Sequence, residues 1–201
     1  MTDKEKMLAG KLYIAQGEEI FGEMRRAKRL TRLFNATTEE EIERRTELLK
    51  TLFAETGEHI YIEPTFRCDY GSHIYVGENF YANYDCIILD VAPVRIGKNV
   101  LFGPRVCVYT AGHPVDQEVR GAMLEFGLPI TIGDNAWVGG NTVINPGVTI
   151  GSGTVIGSGS VVTKDLPENV VAAGSPCRVL REISEADKAY WEEKRAEYLR
   201  T

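Results

Sequence analysis

Aliphatic residues recur at every sixth position between residues 132 and 166, and this period restricts the possible folds of the chain. An α-helix repeats near 3.6 residues and a β-strand near 2, so neither element alone produces a period of six. Short strands joined by small residues at corners do produce it, which is the hexapeptide pattern of a parallel β-helix. The aliphatic positions are Ile132, Val138, Ile144, Ile150, Ile156 and Val162.

Weaker hexapeptides extend this pattern back to about residue 60, which predicts a mainly β solenoid. In a solenoid each coil covers the apolar side of its neighbour, and the backbones pair between coils. The repeat is interrupted at about residues 112–130, a polar stretch with Gly, Pro and one His. We expect this insertion to be extruded as a loop on one face, where function is often located.

The pattern divides the chain into three predicted parts: a helical segment at 1–58, the β-helix at 59–183 and a terminal helix at 184–201. Thr37 and Glu40 are spaced as a capping box that would begin a second helix. Ser184 and Asp187 have the same spacing before the last helix. We expect the apolar residues of that last helix to cover the end of the solenoid.

Composition excludes several classes of function. The formal net charge is −6, which offers no overall basic field to nucleic acid or to an anionic membrane. The chain contains no uninterrupted apolar stretch of spanning length, and MTDKEKMLAG lacks a signal-peptide apolar region. These features predict a soluble cytoplasmic protein.

Four cysteines are widely spread, without a CxxC pair or a histidine at ligand spacing, so we expect them to be packing residues and expect no metal. The three histidines are also too far apart in sequence for a zinc site of adjacent coils. His59 and His73 fit structural or surface roles. His113 opens the insertion and precedes Pro114, which favours an extended backbone before it. A titratable imidazole at such a position is a candidate general base.

Basic residues cluster near the end of the repeats, at Lys164, Arg178 and Arg181. In an acidic protein such a cluster is a candidate phosphate-binding site. The alternative is that Arg178 and Arg181 pair with Glu182 and the carboxylates of the last helix.

Several segments together resemble one family over nearly the full chain. They are AGKLY at 9–13, FRCDYGSHI at 66–74, ENFYANYD at 78–85, GHP at 112–114, AWVGGNTVINPGVTIG at 136–151, VVTKD at 161–165 and AAGSPCRVLREI at 172–183. The set resembles the bacterial sugar O-acetyltransferases, which include the maltose, galactoside and nodulation-factor acetyltransferases, with the maltose group nearer. The resemblance implies a left-handed, three-sided prism, acetyl-CoA as co-substrate and a homotrimer whose active sites lie between adjacent prisms.

The resemblance also assigns roles residue by residue. His113 corresponds to the catalytic histidine, and the acceptor-site positions are Asp69, Tyr81 and Asn83. The positions along the coenzyme A groove are Trp137, Gly140, Ser158, Thr163, Lys164, Arg178 and Arg181. The chain departs from the galactoside enzymes at Ala15, Asp69 and Val91, which bears on the choice of acceptor.

These observations predict an acetyl-CoA-dependent O-acetyltransferase that acetylates a sugar hydroxyl, of maltose, glucose or a galactoside. His113 would act as general base for direct transfer in a ternary complex, so no serine or cysteine nucleophile is required. The oxyanion donor is either a backbone N–H or the Asn83 amide. Two alternatives stay open: a non-sugar acceptor such as an antibiotic or an amine, and a non-catalytic β-helix scaffold.

Overall fold

A computed structural model describes residues 1–200. Helices lie at both ends of a central β-solenoid of about six coils, which confirms the predicted mainly β fold with hexapeptide repeats. No helix of the described residues combines the length and the hydropathy needed to cross a membrane. The helices are α1 (Asp3–Leu8), α2 (Glu18–Asn35), α3 (Ile42–Leu52), α4 (Gln117–Gly121) and α5 (Glu185–Tyr198).

Three parallel sheets form the sides of the solenoid, here called faces A, B and C. Face A contains β4 (Ile74–Val76), β7 (Val94–Ile96), β12 (Ile130–Ile132) and β15 (Thr149–Ile150). Face B contains β2 (Ile60–Ile62), β5 (Phe80–Ala82), β8 (Leu101–Phe102), β13 (Trp137–Val138), β16 (Val155–Ile156) and β18 (Val170–Gly174), with β19 (Cys177–Glu182) antiparallel to β18. Face C contains β3 (Phe66–Cys68), β6 (Cys86–Leu89), β9 (Cys107–Tyr109), β14 (Val143–Ile144) and β17 (Val161–Val162).

The pairing register confirms the six-residue period. Ile132 lies beside Ile150 on face A, and these positions are separated by three hexapeptides. The chain therefore visits three faces before it returns to the first, as a three-sided prism requires. All six aliphatic positions are at most 1% exposed, so each lies in the prism core. A single hexapeptide cannot bury its own aliphatic residue, and the stacking of coils supplies that burial.

Asparagines turn the chain at the corner between faces A and B. Asn79, Asn99 and Asn135 all adopt a left-handed backbone conformation, with φ between 56° and 59°. Asparagine tolerates this conformation better than other residues with a side chain. The Asn79 amide donates to Asn99 Oδ1 at 3.0 Å, and the Asn99 amide donates to Asn135 Oδ1 at 2.9 Å. This side-chain ladder links three successive coils at one corner.

Residues 1–35 are not continuously helical, which corrects the sequence-based expectation. A short strand, β1 (Tyr13–Ile14), separates α1 from α2 and pairs antiparallel with β11 (Leu124–Gly127) of the insertion. The pairing satisfies backbone groups that a helix would have bonded internally. The insertion also contributes β10 (Ala111–Gly112), so β1, β11 and β10 form a three-stranded antiparallel sheet beside the prism.

The predicted capping box at Thr37 and Glu40 is wrong. Helix α3 begins at Ile42, and the Glu41 carboxylate accepts from the Thr38 N–H at 2.8 Å. The Thr37 hydroxyl instead donates to the Phe34 carbonyl at the end of α2. The Glu41 carboxylate also accepts from the Thr38 hydroxyl at 3.2 Å, and no side chain caps the first turn of α3.

The predicted role of the terminal helix is also wrong, although its start is right. The Ser184 hydroxyl and the Asp187 carboxylate form a reciprocal capping box that begins α5. No residue of α5 is buried, and Tyr190, Trp191 and Tyr198 are exposed. The hairpin of β18 and β19 closes the end of face B instead, because β18 supplies the next parallel strand after β16.

Candidate active site

A pocket of about 320 Å³ lies between the N-terminal strand β1 and the insertion. Its lining combines one imidazole, one carboxylate and one guanidinium with apolar side chains. The lining residues are Ile14, Ala15, His113, Arg120, Met123 and Glu125. The lining residues come from two distant parts of the sequence, residues 14–15 and residues 113–125. The pairing of β11 with both β1 and β10 brings these parts together.

His113 follows β10 and is oriented by the backbone of β11. Its Nδ1 lies 3.3 Å from the Leu124 carbonyl oxygen, so an Nδ1–H can donate to that carbonyl. This bond favours the tautomer with an unprotonated Nε2, which is the form a general base needs. Nε2 lies 3.9 Å from Oε2 of Glu125, and the imidazole is otherwise open to solvent.

Glu125 lies close to two other groups that can ionise to a negative charge, Tyr13 and Asp69. Tyr13 is directly opposite Glu125 in the β1–β11 pair. The Tyr13 hydroxyl is buried and has no hydrogen-bond partner among residues 1–200. Burial and the charge of Glu125 raise the pKa of Tyr13 well above its ordinary value. Burial, with a smaller contribution from the Glu125 charge, raises the pKa of Asp69 to about 6.

Asp90 fixes the backbone that carries Asp69. Its carboxylate accepts from the N–H groups of Asp69 at 3.0 Å, Tyr70 at 2.9 Å and His73 at 3.3 Å. The Asp90 side chain is fully buried, and burial raises its pKa to about 7. The His73 Nδ1 lies 2.6 Å from the Asp90 carbonyl, so His73 has the structural role expected from the sequence.

The other predicted acceptor residues lie on a different edge of the prism. Asn83 follows β5 at the corner between faces B and C, and its Oδ1 accepts from the Tyr84 N–H. Tyr81 points outward from face B and stacks on Tyr61 with 5.9 Å between ring centroids. Asp69 follows β3 and His113 follows β10, so both lie where face C turns towards face A. Within one chain, face C separates the two sets.

The predicted coenzyme A residues are divided in the same way. Gly140 and Ser158 lie at the corner between faces B and C, beside the Asn83 edge, and Trp137 is 54% exposed on face B. Thr163 and Lys164 follow β17 at the corner between faces C and A, which is the His113 edge. One prism therefore presents both halves of the predicted groove, but on separate edges.

The two arginines of β19 differ in their partners. The Arg181 guanidinium forms a bidentate ion pair with Asp187 at 2.7 and 2.8 Å, and Arg181 holds the Asp187 pKa well below its usual range. The ion pair with the last helix that the alternative expected is therefore present for Arg181. Arg178 is exposed and donates only to the Cys177 carbonyl, so its charge is not neutralised by a carboxylate of the described residues.

The remaining candidates have structural explanations. The four cysteines are free thiols, and burial raises the pKa of Cys68 and of Cys86, the latter to about 11. Such thiols are poor nucleophiles at neutral pH. His59 is exposed and lies 2.5 Å from Glu78, at the start of face B. No cluster of three metal-ligating side chains occurs within residues 1–200.

Glu125, Tyr13 and Arg120 are pocket-region residues that sequence reasoning missed. Tyr13 was assigned to a helix, and Glu125 falls in the insertion, outside any repeat. The alternation of Leu124, Glu125 and Phe126 between polar and apolar residues is a weak strand signal. It could have indicated a strand within the insertion, but not the neighbour with which that strand pairs.

Comparison with known proteins identifies the class of this fold and site. The family described as "Bacterial transferase hexapeptide (six repeats)" matches residues 129–164, and the "Hexapeptide repeat of succinyl-transferase" matches residues 93–115. The "Maltose acetyltransferase hexapeptide capping motif" matches residues 6–57, which include the end of α1, β1, α2 and α3. The prism is thus built from the repeats of hexapeptide acyltransferases, with the N-terminal segment of the maltose acetyltransferases.

Full-length relatives narrow this class. A galactoside O-acetyltransferase of Escherichia coli is 49% identical over 191 residues, covering 95% of this chain and 94% of the relative. The solved structure of a maltose O-acetyltransferase from Clostridium difficile has a TM-score of 0.91 and 54% identity, covering 92% of this chain and 98% of that one. A galactoside acetyltransferase solved in complex with coenzyme A has a TM-score of 0.91 and 48% identity, with 94% of each chain covered. The chain therefore belongs to the sugar O-acetyltransferase family and is an acyltransferase.

Proposed function

We propose that this protein transfers an acetyl group from acetyl-CoA to a sugar hydroxyl, with His113 as the general base. The observation that carries this proposal is the imidazole in the pocket, whose Nδ1 is bonded to a backbone carbonyl and whose Nε2 is free. The identity of about 50% to named galactoside and maltose O-acetyltransferases supports a sugar as the acceptor.

The proposed reaction is a direct transfer within one ternary complex. Nε2 of His113 takes the proton of the acceptor hydroxyl as the hydroxyl oxygen attacks the thioester carbonyl carbon. The tetrahedral intermediate then collapses, the carbon–sulfur bond breaks, and the leaving thiolate takes the proton back from the imidazolium. Either a backbone N–H or the Asn83 amide supplies a donor to the oxyanion.

We propose that acetyl-CoA lies along the residues predicted from the sequence. Exposed Trp137 offers an aromatic surface to the apolar part of coenzyme A. Gly140 has no side chain to cover its backbone, and the corner admits no larger residue, because an added Cβ would meet the Pro104 carbonyl oxygen at 3.0 Å. Lys164 and Arg178 are exposed cations without a carboxylate partner within residues 1–200, which suits them to the phosphates. Arg181 contributes only if its ion pair with Asp187 opens.

We further propose a homotrimer, because two of the three prism faces present apolar outward rows. On face B the row includes Tyr81, Leu101, Trp137 and Val155 in direct register. On face C it is Arg67 in the first coil, followed by the apolar Ile87, Cys107, Val143 and Val161. On face A it is Tyr75, Arg95, Thr131 and Thr149, which is mainly polar. Contact between two different surfaces of one chain is heterologous, and such contacts close into a ring when the rotation between subunits allows it. Completion of the divided site would require a neighbouring copy, because within one prism face C separates the Asn83 edge from the His113 edge.

The direct test is thiol release from acetyl-CoA with a panel of acceptors that includes maltose, glucose, galactosides and amines. We expect turnover with at least one sugar and little with simple amines. Turnover with amines alone would replace the sugar by a nitrogen acceptor. Titration calorimetry that detects no binding of acetyl-CoA would favour a scaffold without catalytic function.

His113→Ala should lower kcat by about 10²- to 10⁴-fold, the usual contribution of a general base. The dissociation constant for acetyl-CoA should stay close to the wild-type value, because the imidazole binds the proton of the acceptor. His59→Ala, which removes an exposed imidazole outside the pocket, is the matched control and should leave kcat unchanged. Full activity of His113→Ala would contradict the assignment of the base.

A further inference from the structure

Glu125 is the charged group nearest to the reactive nitrogen of His113. Oε2 of Glu125 lies 3.9 Å from Nε2, and the Glu125 side chain is only 17% exposed. Among residues 1–200, His113 is the only cationic partner within ion-pair distance of this carboxylate. Arg120 lines the same pocket, but its guanidinium donates to the carbonyls of Pro114 and Val115 at 2.8 and 2.9 Å. Arg120 is thereby bonded to the insertion and forms no ion pair with Glu125.

The strand arrangement holds Glu125 in this place. Its strand, β11, is bonded on one side to β1 and on the other to β10, which immediately precedes His113. The groups facing Glu125 from the other elements are acidic or neutral: Asp69 and Tyr70 after β3, and Tyr13 on β1. Ionisation of any of these three groups would place a second negative charge beside Glu125, which is unfavourable. Among these neighbours, the His113 imidazole is the one whose charged form the Glu125 carboxylate stabilises.

Charge develops on the imidazole only during the reaction. A neutral His113 gains a positive charge as Nε2 takes the acceptor proton, and it loses that charge when the thiolate is protonated. A carboxylate at 3.9 Å stabilises the imidazolium more than the neutral ring, which lowers the barrier to proton transfer.

We propose that Glu125 is a positioning residue for His113, whose carboxylate stabilises the imidazolium that forms when the imidazole accepts the acceptor's proton. This inference rests on the proposed function, in which His113 is the base. It assigns a role to a residue that lies outside the repeats and that the sequence did not indicate.

The kinetic test compares Glu125→Gln, Glu125→Asp and Glu118→Gln. Glu118 lies in the same insertion with an exposed side chain, so Glu118→Gln is the matched control and should behave as the wild type. Glu125→Gln should lower kcat about 10- to 100-fold, a part of the full general-base contribution, with the KM for acetyl-CoA unchanged. Its acid limb in the pH profile of kcat/KM should move to lower pH, because the imidazolium loses its counter-charge. Glu125→Asp should restore part of kcat.

A second measurement needs no turnover. The chain has three histidines, so their ring signals can be followed individually in a pH titration by nuclear magnetic resonance. Glu125→Gln should change the ring signals of His113, because it removes a charge 3.9 Å from Nε2, and leave those of His59, whose partner is Glu78, unchanged.

The outcomes separate the inference from the proposed function. An unchanged acid limb together with unchanged ring signals of His113 would overturn the role of Glu125. A raised KM for the acceptor with an unaltered pH profile would also overturn it, since Glu125 would then only contact the acceptor. If the wild type transferred no acetyl group to any sugar, the proposed function would fail, while the titration of His113 would still report on its pairing with Glu125.

Discussion

Asp69 is a buried carboxyl whose protonation depends on the folded state. Its pKa is raised from 3.8 to about 6, chiefly by burial and then by the charge of Glu125. The folded chain therefore binds a proton at Asp69 between about pH 4 and 6 that the unfolded chain has already released. Stability falls as pH rises through this window, and above pH 6 the ionised Asp69 leaves a constant cost.

Asp69→Asn should therefore stabilise the protein at pH 7 but not at pH 4. At pH 4 an amide replaces a neutral acid, whereas at pH 7 it replaces an ionised one, and the gain is about 3 kcal/mol from the size of the pKa change. The measurement is the difference in melting temperature between variant and wild type at both pH values. Asp85→Asn, at an exposed carboxyl, is the control and should give the same difference at both.

A change in melting temperature for Asp69→Asn that is the same at pH 4 and pH 7 would show that the pKa of Asp69 is not raised in the folded protein. A larger gain at pH 4 than at pH 7 would reverse the sign of the linkage and contradict the burial of this carboxyl. Asp90 is present in both proteins, but the charge of Asp69 contributes to its raised pKa, so Asp69→Asn also removes that contribution and acts in the same direction at pH 7.

At the residue scale, the sequence indicated only those candidate residues whose signals lie in neighbouring positions of the chain. His113 stands out because it begins the insertion beside a proline, and both signals are adjacent in the chain. Glu125 has no local signal, because its proximity to His113 requires pairing across the insertion. Its proximity to Asp69 requires the sheet to dock against a coil that precedes it by more than 50 residues. Tertiary pairing of this kind is not encoded in a motif.

At the element scale, the corners of the prism depend on close backbone contacts between coils. A Cβ added to Gly103 would lie 2.6 Å from the backbone nitrogen of Gly140 in the next coil. That distance is well inside van der Waals contact with a group that cannot rotate away. The glycine after β8 is therefore required by the stacking of successive coils.

Gly103→Ala should destabilise the protein by about 1–3 kcal/mol through this overpacking. Gly121→Ala is the matched control, because an added Cβ there meets no atom within 4 Å and the residue has no positive φ. Thermal unfolding of the two variants provides the measurement. Equal melting temperatures would mean that the coils separate enough at this corner to admit a methyl group.

The sequence predicted the strands of the prism better than the elements outside it. Six matches to one period overrule local propensity, so the repeats from Ile132 to Val162 were correctly assigned. β1 has only two residues and is defined by its partner β11, so no period could reveal it. Helix α5 was correctly predicted from its capping box, but its apolar residues face solvent in the single chain. Amphipathic sequence predicts a helix without specifying what the helix contacts.

At the scale of the whole molecule, the three faces of the prism differ in their outward rows. Face B presents Leu101 and Trp137 side by side, with 46% and 54% of their surfaces exposed. An isolated soluble chain rarely leaves such a row uncovered along the length of a sheet. The predicted site is divided between two edges of one prism, and the neighbouring prism of the proposed trimer would supply the missing edge.

Leu101→Glu should weaken or abolish the trimer, since it places a charge in the apolar row of face B. Thr131→Glu, on the polar face A, is the control and should remain trimeric. Light scattering coupled to size exclusion gives the mass of each variant. A monomeric wild type would contradict the proposed assembly, and a trimeric Leu101→Glu would remove face B from its contacts.

The pocket beside His113 is made by β1, β10 and β11, none of which belongs to the stack of coils. Substitutions at positions such as Ala15 or Met123 can therefore reshape what the enzyme accepts without touching the residues that keep the coils in register. Catalytic chemistry and cofactor recognition can stay constant while the choice of alcohol drifts. A lineage with this architecture can acquire new acceptors by revising a small appended sheet, at little risk to the rest of the molecule.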